Sequence, residues 1–158
     1  MSFSTKIRSP EAAAAWRQSL SGPLVFTNGV FEVLHRGHAE YLEQARALGA
    51  ALVVGVNSDA SARRLGKGAG RPAVTGADRA ALVAALESVN CVVLFDEATP
   101  VVLIERLRPE ILVKGGDYSR ETMAGADLVE SWGGRAVILP LTAGYSTTSL
   151  VERLRATS

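Results

Sequence analysis

The chain has two histidines, His35 and His38, three positions apart in the stretch "TNGVFEVLHRGH". Imidazole donates a directed hydrogen bond and can carry positive charge near neutral pH, so a close pair suits an anion such as phosphate. Gly37 stands between them and removes a side chain where a bulky anion would approach. The pair opens "HAEYLEQARALG", whose apolar residues fall at helical spacing. A helix N-terminus offers unpaired N–H groups and partial positive charge, which favours the same ligand. Two other readings compete: surface helix capping, and a transition-metal site. The metal reading lacks neighbouring ligands, because Cys91 is the single cysteine and Asp59 and Asp117 sit in separate loops.

The elements that must position this pair are legible as alternating segments. Five short apolar runs predict strands: "PLVF" (residues 23–26), "ALVVGV" (51–56), "CVVLF" (91–95), "EILVK" (110–114) and "RAVILPL" (135–141). They are continuous rather than alternating, as strands are when helices cover both faces of a sheet. Between them, "DRAALVAALESV" and "TPVVLIERLRP" carry helical spacing, the second with Thr99 expected as N-cap and Pro100 at the first helical position. Before the first strand, "SPEAAAAWRQSL" reads as an additional helix capped by Ser9. The expected fold is α/β: a Rossmann-like, doubly wound, parallel five-stranded sheet with helices on both faces. One domain is expected over residues 1–158, with a helical extension at 1–22 and a core at 23–155.

Ligands bind such sheets beyond the carboxyl ends of the strands, where strand order reverses. That points to the loop after the first strand. Thr27, Asn28 and Gly29 are expected there as a turn whose small residues let backbone N–H groups approach a ligand.

Bulk properties exclude several classes. A net charge of +1 gives no electrostatic case for nucleic acid or an anionic membrane. No run approaches the roughly 20 apolar residues of a membrane span, and "MSFSTKIRSPEAAAAW" lacks a signal-peptide apolar region, so a cytoplasmic location is expected. Cys91 opens an apolar run and is expected to be a buried small hydrophobe. Neither G-x-x-x-x-G-K-[ST] nor a G-x-G-x-x-G after the first strand is present, which argues against a P-loop enzyme and a dinucleotide-binding dehydrogenase.

"HRGH" resembles the H-x-G-H motif of the nucleotidyltransferase superfamily, which includes glycerol-3-phosphate cytidylyltransferase and pantetheine-phosphate adenylyltransferase. "GYSTTSLVERL" resembles that superfamily's second hallmark, a Ser/Thr-rich turn opening the last helix. Within it, "VGVNSDASARRL", "GRPAVTGADRAALVAALESVN" and "ILVKGGDYSRETMAG" are similar in order and spacing to the heptose-1-phosphate adenylyltransferases. The similarity covers residues 24–154.

The resemblance implies attack of a sugar 1-phosphate on the α-phosphorus of ATP, with magnesium, in ADP-heptose synthesis for lipopolysaccharide core or a surface glycan. His35 and His38 would contact the triphosphate, and His38 would donate to charge on the transferred group. Thr27, Asn28, Gly29, Phe31 and Gly37 would belong to the nucleotide pocket. Ser146, Thr147 and Thr148 would meet the β- and γ-phosphates, or serve as plain helix caps. Lys114, ending an apolar strand before Gly115, would take phosphate. Asp117 would bind sugar hydroxyls or magnesium, or form an Asx-turn. The basic loop "RRLGKGAGRP" would close over phosphates through Lys67 and Arg71, or stand as a solvated loop. Arg79 would lie near the substrate, or form a surface ion pair. No residue is assigned as a resident metal ligand.

One departure is visible. The family pattern T-N-G-x-F-D has Glu32 here in place of aspartate. Competing expectations are a cytidylyltransferase acting on glycerol 3-phosphate, and a nucleotide-binding domain without turnover. Heptose 1-phosphate is expected from separate kinase and phosphatase enzymes, and a homo-oligomer is expected from the resemblance.

Overall fold

The five apolar runs form one parallel sheet in the order β3-β2-β1-β4-β5. A computed structural model describes residues 2–66 and 68–158. The strands are β1 (Leu24–Gly29), β2 (Ala51–Asn57), β3 (Cys91–Phe95), β4 (Ile111–Gly115) and β5 (Arg135–Leu139). The helices are α1 (Pro10–Gln18), α2 (Arg36–Arg46), α3 (Asp59–Arg64), α4 (Gly76–Ala84), α5 (Val101–Leu107), α6 (Ala126–Ser131) and α7 (Thr147–Ala156).

Each continuous apolar run serves two cores, because successive strand residues point to opposite faces. Leu24 and Phe26 of β1 join Val53, Val93 and Leu112 beneath α1, α5 and α6. Val25 joins Leu52, Val54, Val92 and Val113 beneath α2 and α4. Burying each such side chain is worth roughly 1.5–3 kcal/mol, so both faces contribute heavily to stability.

The N-terminal segment is less separate than an extension. Ala13 of α1 is fully buried in the first core, and Ile7 bridges to Val92 in β3. The segment thereby covers the β3 edge and one sheet face. Helix α5 also starts one residue later than expected: Pro100 is the N-cap, and Thr99 lies outside. Proline lacks the N–H that the helix interior needs, so either position spares it. Among the described residues no helix is long and apolar enough to cross a membrane.

Strand order reverses between β1 and β4, the neighbours at the centre of the sheet. Val25 pairs with Ile111 and Phe26 with Leu112. Toward the carboxyl ends a side chain takes over: Lys114 Nζ donates to the Asn28 carbonyl at 2.9 Å. The loops that follow these two strands flank the opening.

Candidate active site

Strand β1 does not end at Phe26. It continues through Thr27, Asn28 and Gly29, which pair with Val54, Gly55 and Val56 of β2. The expected turn is therefore strand, kept straight by β2 on one side while β4 is left for Lys114. Thr27 is fully buried, its hydroxyl 2.7 Å from that of Tyr41. Burial pushes the Tyr41 hydroxyl up to about 12, so it stays protonated at neutral pH.

After β1 the chain turns sharply at Phe31, which adopts φ of +52° and packs its ring 5.3 Å from that of His38. His35 is the N-cap of α2, and His38 lies in its first turn. The His35 N–H donates to His38 Nδ1 at 3.3 Å, so a neutral His38 carries its proton on Nε2. The two imidazoles stack with centroids 3.9 Å apart, and Tyr145 stacks on His35 at 5.8 Å. Gly37 makes this stack possible: a Cβ there would lie 2.8 Å from Tyr145 Cβ and 3.0 Å from the His35 ring. Burial lowers the His35 pKa below the ordinary histidine value, which favours the neutral ring.

Behind this loop sit two arginines with different duties. Arg79 is fully buried, and its guanidinium donates to the carbonyls of Val30, Asn57 and Val74 and to Asp59. It ties the β1–α2 loop, the end of β2 and the start of α4 together. Arg71 instead faces the opening, where it pairs with buried Glu32 at 2.5 Å. Glu32 also accepts the Ala73 N–H at 3.1 Å.

The opposite wall comes from the segment after β5 and the start of α7. Thr142 donates to Glu40 of α2 at 2.6 Å, and Thr147 reaches the Val33 carbonyl at 3.4 Å. Ser146 caps α7 by accepting from the Ser149 N–H. Leu141 lies against Gly115 and Gly116, where any Cβ would meet it at 2.6 Å.

Between the walls is a cavity of about 350 Å³. Asn28, Gly29, Phe31, His35, Gly37 and His38 line it together with Lys114, Gly115, Ser146, Thr147 and Thr148. Two lining atoms, Asn28 Oδ1 and His35 Nδ1, are buried with no hydrogen-bond partner among the described residues. Buried polar atoms are nearly always paired, so two orphans in one cavity mark where a ligand's polar groups belong.

Compared with known proteins, residues 26–153 match the cytidylyltransferase-like family. The chain belongs to that family of H-x-G-H nucleotidyltransferases. It is 54% identical over 155 residues to the D-beta-D-heptose 1-phosphate adenylyltransferase of Bordetella bronchiseptica, covering 97% of this chain and 96% of that protein. It is 56% identical over 131 residues to the bifunctional protein HldE of Syntrophotalea carbinolica, covering 83% of this chain but only 26% of that protein. A solved lipopolysaccharide core biosynthesis protein from Thermoplasma volcanium has a TM-score of 0.64 at 27% identity, covering 77% of this chain and 98% of that one. A pantoate-beta-alanine ligase from Francisella tularensis shares the fold, with a TM-score of 0.61 at 12% identity over 94% of this chain and 78% of that one.

Within this nucleotidyltransferase, three expected site residues fall elsewhere. Thr27 is held in the core by Tyr41 rather than lining the cavity. Arg79 is neither at the cavity nor at the surface, since its charge is consumed inside the fold. Asp117 is exposed and outside the cavity lining. Lys67 lies outside the described residues. The cavity also gains Glu32, Tyr41, Tyr118, Thr142 and Tyr145, which sequence reasoning did not assign to it. Helical phase was the available signal for Arg79: it shares the buried face of α4 with Ala80 and Val83.

Proposed function

We propose that this nucleotidyltransferase transfers the adenylyl group of ATP to a heptose 1-phosphate, giving ADP-heptose and pyrophosphate. The observation that carries the site is the H-x-G-H helix start and the Ser-Thr-Thr helix start lining one cavity, with Lys114 beside them. The similarity to the Bordetella adenylyltransferase over nearly the whole chain supports the choice of substrates. The reading places the enzyme in the cytoplasm, with its ATP supply.

A phosphate oxygen of the sugar attacks the α-phosphorus. The bond from that phosphorus to the α,β-bridging oxygen breaks, and its electron pair leaves with pyrophosphate. The attacking oxygen is already ionised at neutral pH, so no general base is required. Catalysis is then alignment of two anions and stabilisation of charge spread over the transferred group. His38 donates from Nε2 to that group, because its Nδ1 is turned toward the His35 N–H. Stacking against His35 fixes the ring plane before substrate arrives. Lys114, held at the sheet opening by the Asn28 carbonyl, supplies a cation to phosphate. Ser146, Thr147 and Thr148 offer hydroxyl and N–H donors to the leaving pyrophosphate.

Among the described residues no three His, Cys, Asp or Glu side chains converge as a metal cage. Both Glu32 carboxylate oxygens are engaged by the segment at Arg71–Ala73. A magnesium ion carried on the ATP phosphates would neutralise phosphate charge.

The test is magnesium-dependent pyrophosphate release from purified protein, with D-glycero-D-manno-heptose 1-phosphate or glycerol 3-phosphate against ATP or CTP. Release with the heptose phosphate and ATP alone is the expected outcome. Release only with glycerol phosphate or CTP overturns the substrates, and no release with any pairing overturns the reaction.

A further inference from the structure

Between α3 and α4 the chain runs from Leu65 to Thr75 without a regular element among the described residues. Gly66, Gly68 and Gly70 all adopt positive φ there, and around Gly66 and Gly70 a Cβ would meet nothing within 4 Å. Such a segment has little to hold it through its own backbone. It nevertheless delivers Arg71 into the cavity wall with its side chain only 7% exposed.

On the cavity side the Glu32 carboxylate ties it down, and Arg79 holds its far end through the Val74 carbonyl. Glu32 Oε2 accepts from Arg71 Nε at 2.6 Å and lies 2.5 Å from Nη2, while Oε1 accepts the Ala73 N–H at 3.1 Å. The Glu32 side chain is itself 3% exposed and stands next to Phe31, the residue that packs on His38. On the outer side, Arg155 reaches the Ala69 carbonyl at 3.4 Å. Buried ion pairs seldom stabilise a fold more than apolar residues of similar volume would, because desolvation offsets the attraction. A buried pair that forms part of a ligand cavity is therefore better explained by the geometry it imposes. The reach also matters. Aspartate is one methylene shorter and reaches less far toward Arg71 and the Ala73 N–H from the same backbone position.

We propose that Glu32 is a positioning residue that latches the 68–75 segment, fixing Arg71 in the cavity wall as a cation for a substrate phosphate. Arginine carries its N–H donors in a rigid planar fork, so a carboxylate that takes the Nε and Nη2 side sets the direction of the whole group. The proposal rests on the phosphate-transfer reading above. The phosphate belongs either to ATP or to the acceptor, and both present the same chemistry.

The test compares Glu32→Gln, Arg71→Gln and the double variant, titrating ATP and heptose 1-phosphate separately in the pyrophosphate-release assay. Losing a charge-assisted bond to phosphate predicts about a tenfold to hundredfold rise in KM for one of the two substrates in both single variants. The other substrate's KM stays within about twofold on the same reasoning, and the identity of the affected substrate names the phosphate. The double variant is expected to be no worse than Arg71→Gln alone, because Glu32 acts only through Arg71 and the loop. It also leaves no unpaired buried charge, so it reports even if Glu32→Gln does not fold. Glu32→Asp should fall between wild type and Glu32→Gln. Additive losses in the double variant, or wild-type KM values in a folded Glu32→Gln protein, overturn the proposal. Hydrogen exchange at the Ala73 amide reads the latch without turnover. Faster exchange in Glu32→Gln supports it, and unchanged exchange overturns it, even if wild type releases no pyrophosphate and the enzymatic reading itself has failed.

Discussion

The two walls of the cavity are built in different ways. The β1–α2 wall is backed by the fold: Phe31 is 7% exposed, Glu32 4%, and Arg79 behind them not at all. The wall after β5 is open, with Leu141 57% and Tyr145 40% exposed and no buried residue anywhere in α7. Both present a helix N-terminus to the cavity, but only one is held by side chains that have nowhere else to go. Groups that must meet developing charge in one geometry gain from a wall that is already fixed. Groups that grip a leaving pyrophosphate need to let it go, and a lightly packed helix start suits that task.

The largest expected effect breaks the first wall from behind. Arg79→Met removes the fully buried donor to three backbone carbonyls and to Asp59, and each buried acceptor left without a partner costs roughly 1–3 kcal/mol. Urea denaturation measures it. A loss below about 1 kcal/mol, the scale of a surface ion pair, would show that the wall does not depend on Arg79.

His38→Ala comes next. It removes the proposed donor together with its stacking on His35 and its bond from the His35 N–H, while the buried residues behind it stay, so kcat should fall by about 10²–10³ with only a small shift in the denaturation midpoint. Near-normal turnover in a folded variant would remove His38 from the chemistry and leave the rigid wall without its purpose.

These two residues also show what could be read in advance. His38 was legible because its type and its place at a helix start after the first strand are local facts. Arg79 was not, because a charged residue in a helix is usually read as surface, and its partners lie far away in sequence at Val30 and Asn57. The strands were legible as apolar runs, yet β1 outlasted its run. Thr27, Asn28 and Gly29 are polar or small, and pairing with β2 keeps them extended. Helix α3, six residues long, has too few turns to show a period. The aromatic side of the cavity was hidden for another reason. Tyr41, Tyr118 and Tyr145 belong to three separate segments, and only the sheet's switch point brings them together.

Gly37→Ala tests whether the walls are coupled. The new methyl would press on the fixed His35 ring and on Tyr145 Cβ, which packs directly against Gly37. Overpacking of this kind costs typically 1–3 kcal/mol, and the exposed wall is the one able to yield. The expected outcome is a fall in kcat/KM of about tenfold, with a smaller loss of stability than Arg79→Met, because Tyr145 moves aside rather than the imidazoles. Adding Tyr145→Gly to Gly37→Ala should recover part of the activity. If it recovers none, the displaced group is His35, and the β1–α2 wall is softer than its burial implies.

The smallest effect is expected at Ser146. Its hydroxyl accepts the Ser149 N–H at 3.3 Å, so Ser146→Ala removes an N-cap worth about 1 kcal/mol to α7. Because α7 buries no residue, that loss should register as fraying of one helix rather than as a lower midpoint for the whole protein. Hydrogen exchange across residues 147–150 would rise while the sheet stays protected. Turnover separates the cap from the ligand contact. If Ser146 only organises the helix start, Ser146→Asp, an equally good cap, should restore the exchange pattern and, despite its charge, leave part of the activity. If the hydroxyl itself meets phosphate, Ser146→Asp restores the helix and abolishes turnover, because a carboxylate now faces the anion. The second outcome would make α7 a wall chosen for its donors, with its loose packing the condition that lets pyrophosphate depart.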